Sequence, residues 1–229
     1  MNAQKKLIVA IDGPSGAGKS TLSRALAAAL GYLNIDTGAM FRSVAYAARQ
    51  RQVDPADHAA LGAMCAELSI RFRREQSGER VLVDDEDVTA VIRTPEISLL
   101  TSQVAACPQV REALLRLQRK MGEEGGVVLE GRDIGTVIFP QAEVKFFLSA
   151  SAEERGRRRY RELVAQGVQV DLQRTVAEVA ARDAADAARE HAPLLQAEDA
   201  VVIDSSRLTI EQVLEKMLQT VRQVAAKGR

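Results

Sequence analysis

Leu7-Ile-Val-Ala-Ile-Asp-Gly-Pro-Ser-Gly-Ala-Gly-Lys-Ser20 is the stretch that decides the fold. Leu7 to Ile11 is apolar and rich in β-branched residues, the pattern of a short buried strand. Asp12 to Gly18 is a glycine-rich turn. Beyond it Leu22, Leu26 and Leu30 recur at helical spacing beside Ala25 and Ala29, until Gly31 ends the stripe. The order is strand, loop, helix. Gly13 to Ser20 satisfies G-x-x-x-x-G-K-[ST] in the context its mechanism demands: backbone amides turn inward to phosphate oxygens, and the helix start adds positive dipole. On this reading Gly13, Pro14, Ser15, Gly16, Ala17, Gly18, Lys19, Ser20 and Thr21 hold the phosphates of a nucleotide, which the resemblance given below implies is ATP. Lys19 reaches the β and γ phosphates, and Ser20 meets Mg²⁺ directly or through water. A glycine-rich turn without a ligand is the competing reading, and the flanking strand and helix weigh against it.

Outward from the loop, Tyr32 to Ile35 reads as a second strand and Thr37 to Arg51 as a helix starting near Gly38. The middle of the chain changes character. Ile70 to Arg74, Val81 to Asp84 and Glu86 to Val88 read as short strands separated by Ser77-Gly78 and by an acidic turn, giving a small antiparallel insert. Glu112 to Met121 then reads as helix, and Val127 to Leu129, Val144 to Leu148 and Val201 to Ile203 as buried strands. Ser151-Ala-Glu-Glu154 matches a capping box that opens a helix. The last helix carries Ile210, Val213, Leu214, Met217, Leu218 and Val221 on one face, with Thr209 as its cap. Strands alternating with helices imply an α/β fold: three layers, a mainly parallel sheet flanked by helices, and a ligand site at the carboxyl ends of the strands.

Composition narrows the class. The 229 residues suffice for one domain, and 46% hydrophobic with 27% charged residues matches globular averages. Basic and acidic residues cancel at 31 each, which argues against binding a nucleic-acid polymer through a broad basic surface. No apolar run reaches the length of a membrane span or of a signal-peptide core. Cys65 and Cys107 lack metal or disulfide spacing and read as buried thiols in a reducing cytosol, so a cytoplasmic protein is expected, and a monomer because no long exposed apolar helix demands a partner. His58 and His191 have no metal-ligand spacing, and Asp84-Asp85-Glu86-Asp87 reads as a solvated hairpin turn.

Arg182, Asp186 and Arg189 stand at i, i+4 and i+7 of an expected helix and so share a face. Such a triplet is ordinarily a solvated, salt-bridged face, and the phosphate loop upstream reverses that preference. Arg155, Arg157, Arg158 and Arg159 form a run of which only some can face a cleft; which ones stays open.

Four further strings carry a resemblance: Asp36-Thr-Gly-Ala-Met-Phe-Arg42; Ser102-Gln103 with Arg111; Glu130-Gly-Arg-Asp133-Ile-Gly-Thr136; and Arg182-Asp183 with Asp186 and Arg189 before Ala192-Pro193-Leu194. With the phosphate loop and the strand-rich insert before Arg93, this ordered series resembles the bacterial cytidylate kinases, from about Leu7 to Val221. The resemblance implies a P-loop kinase that moves a phosphoryl group from ATP to CMP or dCMP with Mg²⁺. It implies that Thr37, Arg42, Ser102, Arg111, Arg132, Asp133, Arg182, Asp186 and Arg189 bind CMP, with Arg42 on its phosphate, Ser102 and Asp133 on cytosine and Asp186 near the sugar. A carboxylate that accepts from the cytosine amino group discriminates against uracil, whose carbonyl there offers only lone pairs. Two departures from the family pattern are Glu130, where Asp is commoner, and Ser20, where relatives often carry glycine. The implied layout is one kinase domain: a core of about 1–36, 97–150 and 194–229, an acceptor-binding region with the insert at 37–96, and a helical lid at 151–193.

The acceptor phosphate is already an anion near neutrality, so no strong general base is needed. Positioning and charge neutralisation dominate instead. Lys19, Arg182 and Arg132 are the expected catalytic residues, and the lid is expected to exclude water. A P-loop kinase for another acceptor, such as UMP, AMP, shikimate or gluconate, is the first alternative. A nucleotide-switched binding protein is the second, and the chain lacks the N-K-x-D string of guanine-specific switches.

Overall fold

The computed structural model describes residues 6–75, 78–165, 167–188 and 192–227; Ser77, Arg189 and His191, singled out above, lie outside them. In chain order the elements are β1 (Ile8–Asp12), α1 (Lys19–Leu30), β2 (Leu33–Asp36), α2 (Thr37–Gln50), α3 (His58–Glu67), β3 (Ile70–Glu75), β4 (Gly78–Val83) and β5 (Glu86–Asp87). They continue with α4 (Pro95–Val104), α5 (Pro108–Gly122), β6 (Val127–Gly131), β7 (Val144–Ser149), α6 (Ala152–Ala165), α7 (Leu172–Ala187), β8 (Val201–Asp204) and α8 (Ile210–Lys227). They gather into two compact units, one of residues up to Asn34 and from Glu124 onward, the other Ile35–Glu123.

The first unit is built on a five-stranded sheet in the order β2-β6-β1-β7-β8. β1 pairs in parallel with β6 (Ile8 with Val127) and with β7 (Val9 with Val144), and β7 pairs in parallel with β8. A parallel sheet needs crossovers that cover its faces, and its central strands become apolar throughout. β1 and β6 show this, with Val9, Ala10, Ile11, Val128 and Leu129 fully buried. Leu22 and Leu26 of α1 and Val213, Met217 and Val221 of α8 join Phe146 and Leu148 in the core. Each such side chain, fully withdrawn from water, stabilises the fold by about 1.5–3 kcal/mol relative to exposure.

Caps set the helix ends. Gly31 closes α1 in the left-handed conformation at φ 68°. Thr209 and Gln212 form a reciprocal box at α8: Gln212 N donates to Thr209 Oγ1 (3.3 Å) and Thr209 N to Gln212 Oε1 (3.0 Å). At α6 Glu154 N donates to Ser151 Oγ (3.2 Å), while the Glu154 carboxylate accepts from Arg158. α6 and α7 pack against each other so closely that a Cβ on Gly156 would collide with Val176.

The second unit packs α2 against α4 and α3 against α5, beside the antiparallel sheet β3-β4-β5. The acidic run does more than face solvent. Asp84 and Asp85 turn the β4–β5 hairpin with φ of 48° and 72°, a conformation aspartate tolerates. Asp84 also accepts from Ser69 N (3.0 Å) and Arg51 (2.8 Å), and Glu86 accepts from Tyr46 Oη (2.9 Å), so the hairpin is fastened to α2. Cys107 is buried, whereas Cys65 is only half-buried; both thiols are free, and burial pushes the Cys65 thiol up to about 11. Among the described residues no helix is long and apolar enough to cross a membrane.

Candidate active site

In the first unit the chain leaves β1 at Asp12 and turns through Gly13 at φ 145°. A Cβ on Gly13 would strike the Leu148 carbonyl oxygen, so only glycine fits between the loop and β7. Gly18 caps α1 from the left-handed region (φ 92°), leaving amides of the first turn free to face a ligand.

Lys19, the first residue of α1, is 7% exposed and donates from Nζ to the Pro14 carbonyl (2.7 Å). Burial lowers its ammonium to about 7, with Arg132 and Arg182 pushing the same way and Glu130 and Asp12 opposing. The sequence-expected catalytic residues Lys19, Arg132 and Arg182 therefore share one electrostatic neighbourhood. Asp12 caps the arrangement from below: its carboxylate accepts amide hydrogens from Ile134 (2.8 Å) and Gly135 (2.7 Å). Burial raises Asp12 to about 6, while those two amides and Lys19 pull it back.

Those amides begin a single π-helical turn, Ile134–Ile138, in which Ile138 N donates to Asp133 O (3.1 Å) and Phe139 N to Ile134 O (2.7 Å). Asp133 itself is buried at the head of the turn. At the end of β6 the buried Glu130 accepts from Ser20 Oγ (2.9 Å) and Ser23 Oγ (3.4 Å). The glutamate side chain thus reaches the hydroxyls of both serines of α1. Arg132 Nε donates to Asp186 Oδ2 (2.8 Å), and Asp186 is nearly fully buried on α7.

The arginine run on α6 sorts itself. Arg155 is buried and bonds Ser15 O of the phosphate loop, Ala150 O and Asp183. Arg157 pairs with Glu153, Arg158 with Glu154 and Ser205, and Arg159 with Glu162. Asp12 and Arg155 were not among the expected site residues. Asp12 reads in the sequence only as the first residue of the turn, and nothing in the run Arg155 to Arg159 distinguishes its first member.

In the second unit Asp36 caps α2, accepting from Ala39 N (2.8 Å) and from the Arg42 guanidinium (2.9 Å). Thr37 is buried beside it, and Arg42 Nε is buried without a protein partner. Arg111 lies over the Phe41 ring at 5.6 Å, bringing it beside the same helix, and Ser102 is exposed on α4.

A proton linkage follows from Lys19. With its ammonium at about 7 the group is largely neutral at pH 8; a triphosphate bound beside it would favour the charged form, so binding there would take up a proton. ATP affinity is expected to fall as pH rises above about 7, with a log–log slope approaching about −1. Calorimetry in buffers of different ionisation enthalpy measures this; buffer-independent heats between pH 7 and 8 would contradict it.

Sequence comparison gives the family. The cytidylate kinase family model matches residues 9–223. A protein named cytidylate kinase from Syntrophotalea carbinolica is 64% identical over 217 residues, covering 95% of this chain and 92% of the relative. Another of that name, from Geobacter sulfurreducens, is 60% identical over 220 residues, covering 96% and 94%. Among solved structures a gluconokinase from Sinorhizobium meliloti superposes with a TM-score of 0.51 at 13% identity, covering 99% of this chain and 97% of that one, a likeness of fold alone. With a match from Val9 to Gln223 and such identities along nearly its whole length, the chain belongs to the cytidylate kinase family.

Proposed function

We propose that this protein transfers the γ-phosphoryl group of ATP to CMP, and to dCMP, releasing ADP and the nucleoside diphosphate. The observation that carries the reading is the buried Lys19 at the mouth of the loop, with Arg132 and Arg182 close enough to depress it. Three cationic groups held together repel one another, and a polyanion offsets that repulsion. Membership of the cytidylate kinase family supplies the acceptor.

Residues Gly13 to Thr21 cradle the triphosphate. Lys19 sits on the β and γ oxygens and follows the charge onto the leaving phosphate, Arg182 neutralises the transferring group, and Arg42 and Arg132 hold the acceptor phosphate. Thr37 and Arg111 complete the acceptor's contacts, Ser102 and Asp133 read cytosine, and Asp186 and Arg189 face the sugar and phosphates. The acceptor dianion attacks directly, so no side chain abstracts a proton. Residues 151–193 close as a lid and exclude water, without which ATP would be hydrolysed.

Magnesium fits the donor set. Among the described residues no group of three His, Cys, Asp or Glu side chains could hold a metal by itself. The Ser20 hydroxyl and the Glu130 carboxylate are hard oxygen donors 2.9 Å apart, the sparse protein share of a site completed by substrate phosphates. Bound with ATP, the ion supplies charge neutralisation on the donor phosphates.

An acceptor panel tests the proposal. CMP and dCMP are expected to drive ADP release, with UMP, AMP, shikimate and gluconate well behind; ATP turnover indifferent to every acceptor would point to a nucleotide switch. Asp133→Asn replaces a carboxylate that only accepts with an amide that also donates, and is expected to shrink the CMP-over-UMP ratio of kcat/KM by on the order of 10-fold or more. An unchanged ratio would mean that the base is read elsewhere.

A further inference from the structure

We propose that Arg155 is a positioning residue for phosphoryl transfer, fixing the phosphate loop and the Arg182 segment of α7 to one another. Five residues beyond Ala150, on the first turn of α6, its guanidinium is withdrawn from solvent and makes three contacts to three parts of the first unit. Nε donates to Ala150 O at the end of β7 (2.8 Å), one terminal nitrogen donates to Ser15 O in the middle of the loop (3.0 Å), and the same nitrogen pairs with Asp183 Oδ2 (2.5 Å).

Asp183 is the neighbour of Arg182 on α7, so the anchor of the loop and the placement of a transfer arginine run through one side chain. The planar fork of arginine serves several acceptors at fixed angles, which a lysine point charge cannot reproduce. Of the neighbouring arginines, Arg157 and Arg159 pair within their own helix, and Arg158 reaches Ser205 beyond β8 instead of the Ser15 carbonyl. Asp183 Oδ1 is buried with no partner, so the aspartate is held by Arg155 on one oxygen only. A pair so placed is sensitive: losing the arginine leaves a half-buried carboxylate unpaired and frees the Ser15 carbonyl together.

The inference rests on the loop's being the ATP site, and its test reads ATP binding without any acceptor. Arg155→Met alone risks misfolding because the half-buried Asp183 loses its ion-pair partner, so the informative variant is Arg155→Met with Asp183→Asn, which removes both members of the pair. Its melting temperature is expected to return close to the parent's. Its ATP affinity by calorimetry is expected to fall about 10-fold and kcat about 10-fold or more, with the acceptor KM at saturating ATP changing less than about 2-fold. Arg155→Lys is expected to fold and to recover only part of the loss.

Parent-like ATP affinity and kcat in the double variant would overturn the proposal by making Arg155 a structural residue alone, and so would full recovery in Arg155→Lys. A double variant that does not fold leaves the decision to Arg155→Lys. A parent that binds ATP but ignores CMP would overturn the proposed acceptor while leaving this inference standing, whereas a parent that binds no ATP would end both.

Discussion

Lys19→Ala is expected to lower kcat by on the order of 10²- to 10³-fold, equivalent to about 3–4 kcal/mol of transition-state stabilisation, with no loss of thermal stability. The rate loss follows from the role proposed for Lys19, tracking charge from γ phosphate to leaving oxygen. Stability behaves differently because burial and two neighbouring guanidiniums already disfavour the ammonium in the folded protein. Its folded-state pKa lies below the unfolded value of 10.5, so below that pH the unfolded chain binds the proton more readily, and the group opposes folding most strongly below about 7. Alanine removes that penalty along with the Nζ contact to Pro14 O. Steady-state kinetics and a melting curve on the same preparation decide it. Turnover close to the parent's would remove Lys19 from the mechanism, and a collapsed melting temperature would show that the residue holds the loop together.

Gly13→Ala is the second large effect expected, and it acts on the fold. The added methyl group meets the Leu148 carbonyl oxygen in the middle of the core, and φ 145° is a region that alanine rarely enters. Strain of about 1–3 kcal/mol for the backbone adds to a similar amount for forcing loop and β7 apart. A loss of roughly 3 kcal/mol should lower the melting temperature by about 6–12 °C in a chain of this size and weaken ATP binding in parallel. An unshifted melting curve would show that the loop yields at little cost.

The difference between these two residues mirrors what could be read in advance. Periodicity exposed β1, α1, β7 and α8 because each has one buried environment along its length: all-apolar for β1, a single stripe for α1 and α8. α3 escaped because His-Ala-Ala-Leu-Gly-Ala-Met-Cys-Ala-Glu is small and apolar nearly all round and shows no period. α4 and the true start of α5 carried another signal, since Thr94-Pro95 and Cys107-Pro108 each place proline at the first helical position. α5 consequently begins four residues before Glu112, where an expectation built on charged and apolar spacing had put it.

Within the candidate site the loop and its lysine were legible because their spacing is fixed by phosphate geometry. Arg155 was not, since its distinction from Arg157, Arg158 and Arg159 is tertiary: it alone turns to the Ser15 carbonyl. Asp12 was hidden for a related reason, as its partners Ile134 and Gly135 are backbone amides far along the chain. Such partners leave no side-chain pattern.

β1 lies at the centre of its sheet, with Ile8 beside Val127 and Val9 beside Val144. During synthesis that strand is made before both of its neighbours, β6 and β7, with the whole of Ile35–Glu123 between them. Ile35–Glu123, by contrast, finds its hairpin and helix partners within itself and is complete before β6 is translated. The apolar β1 therefore waits unpaired in the nascent chain while Ile35–Glu123 can close on itself.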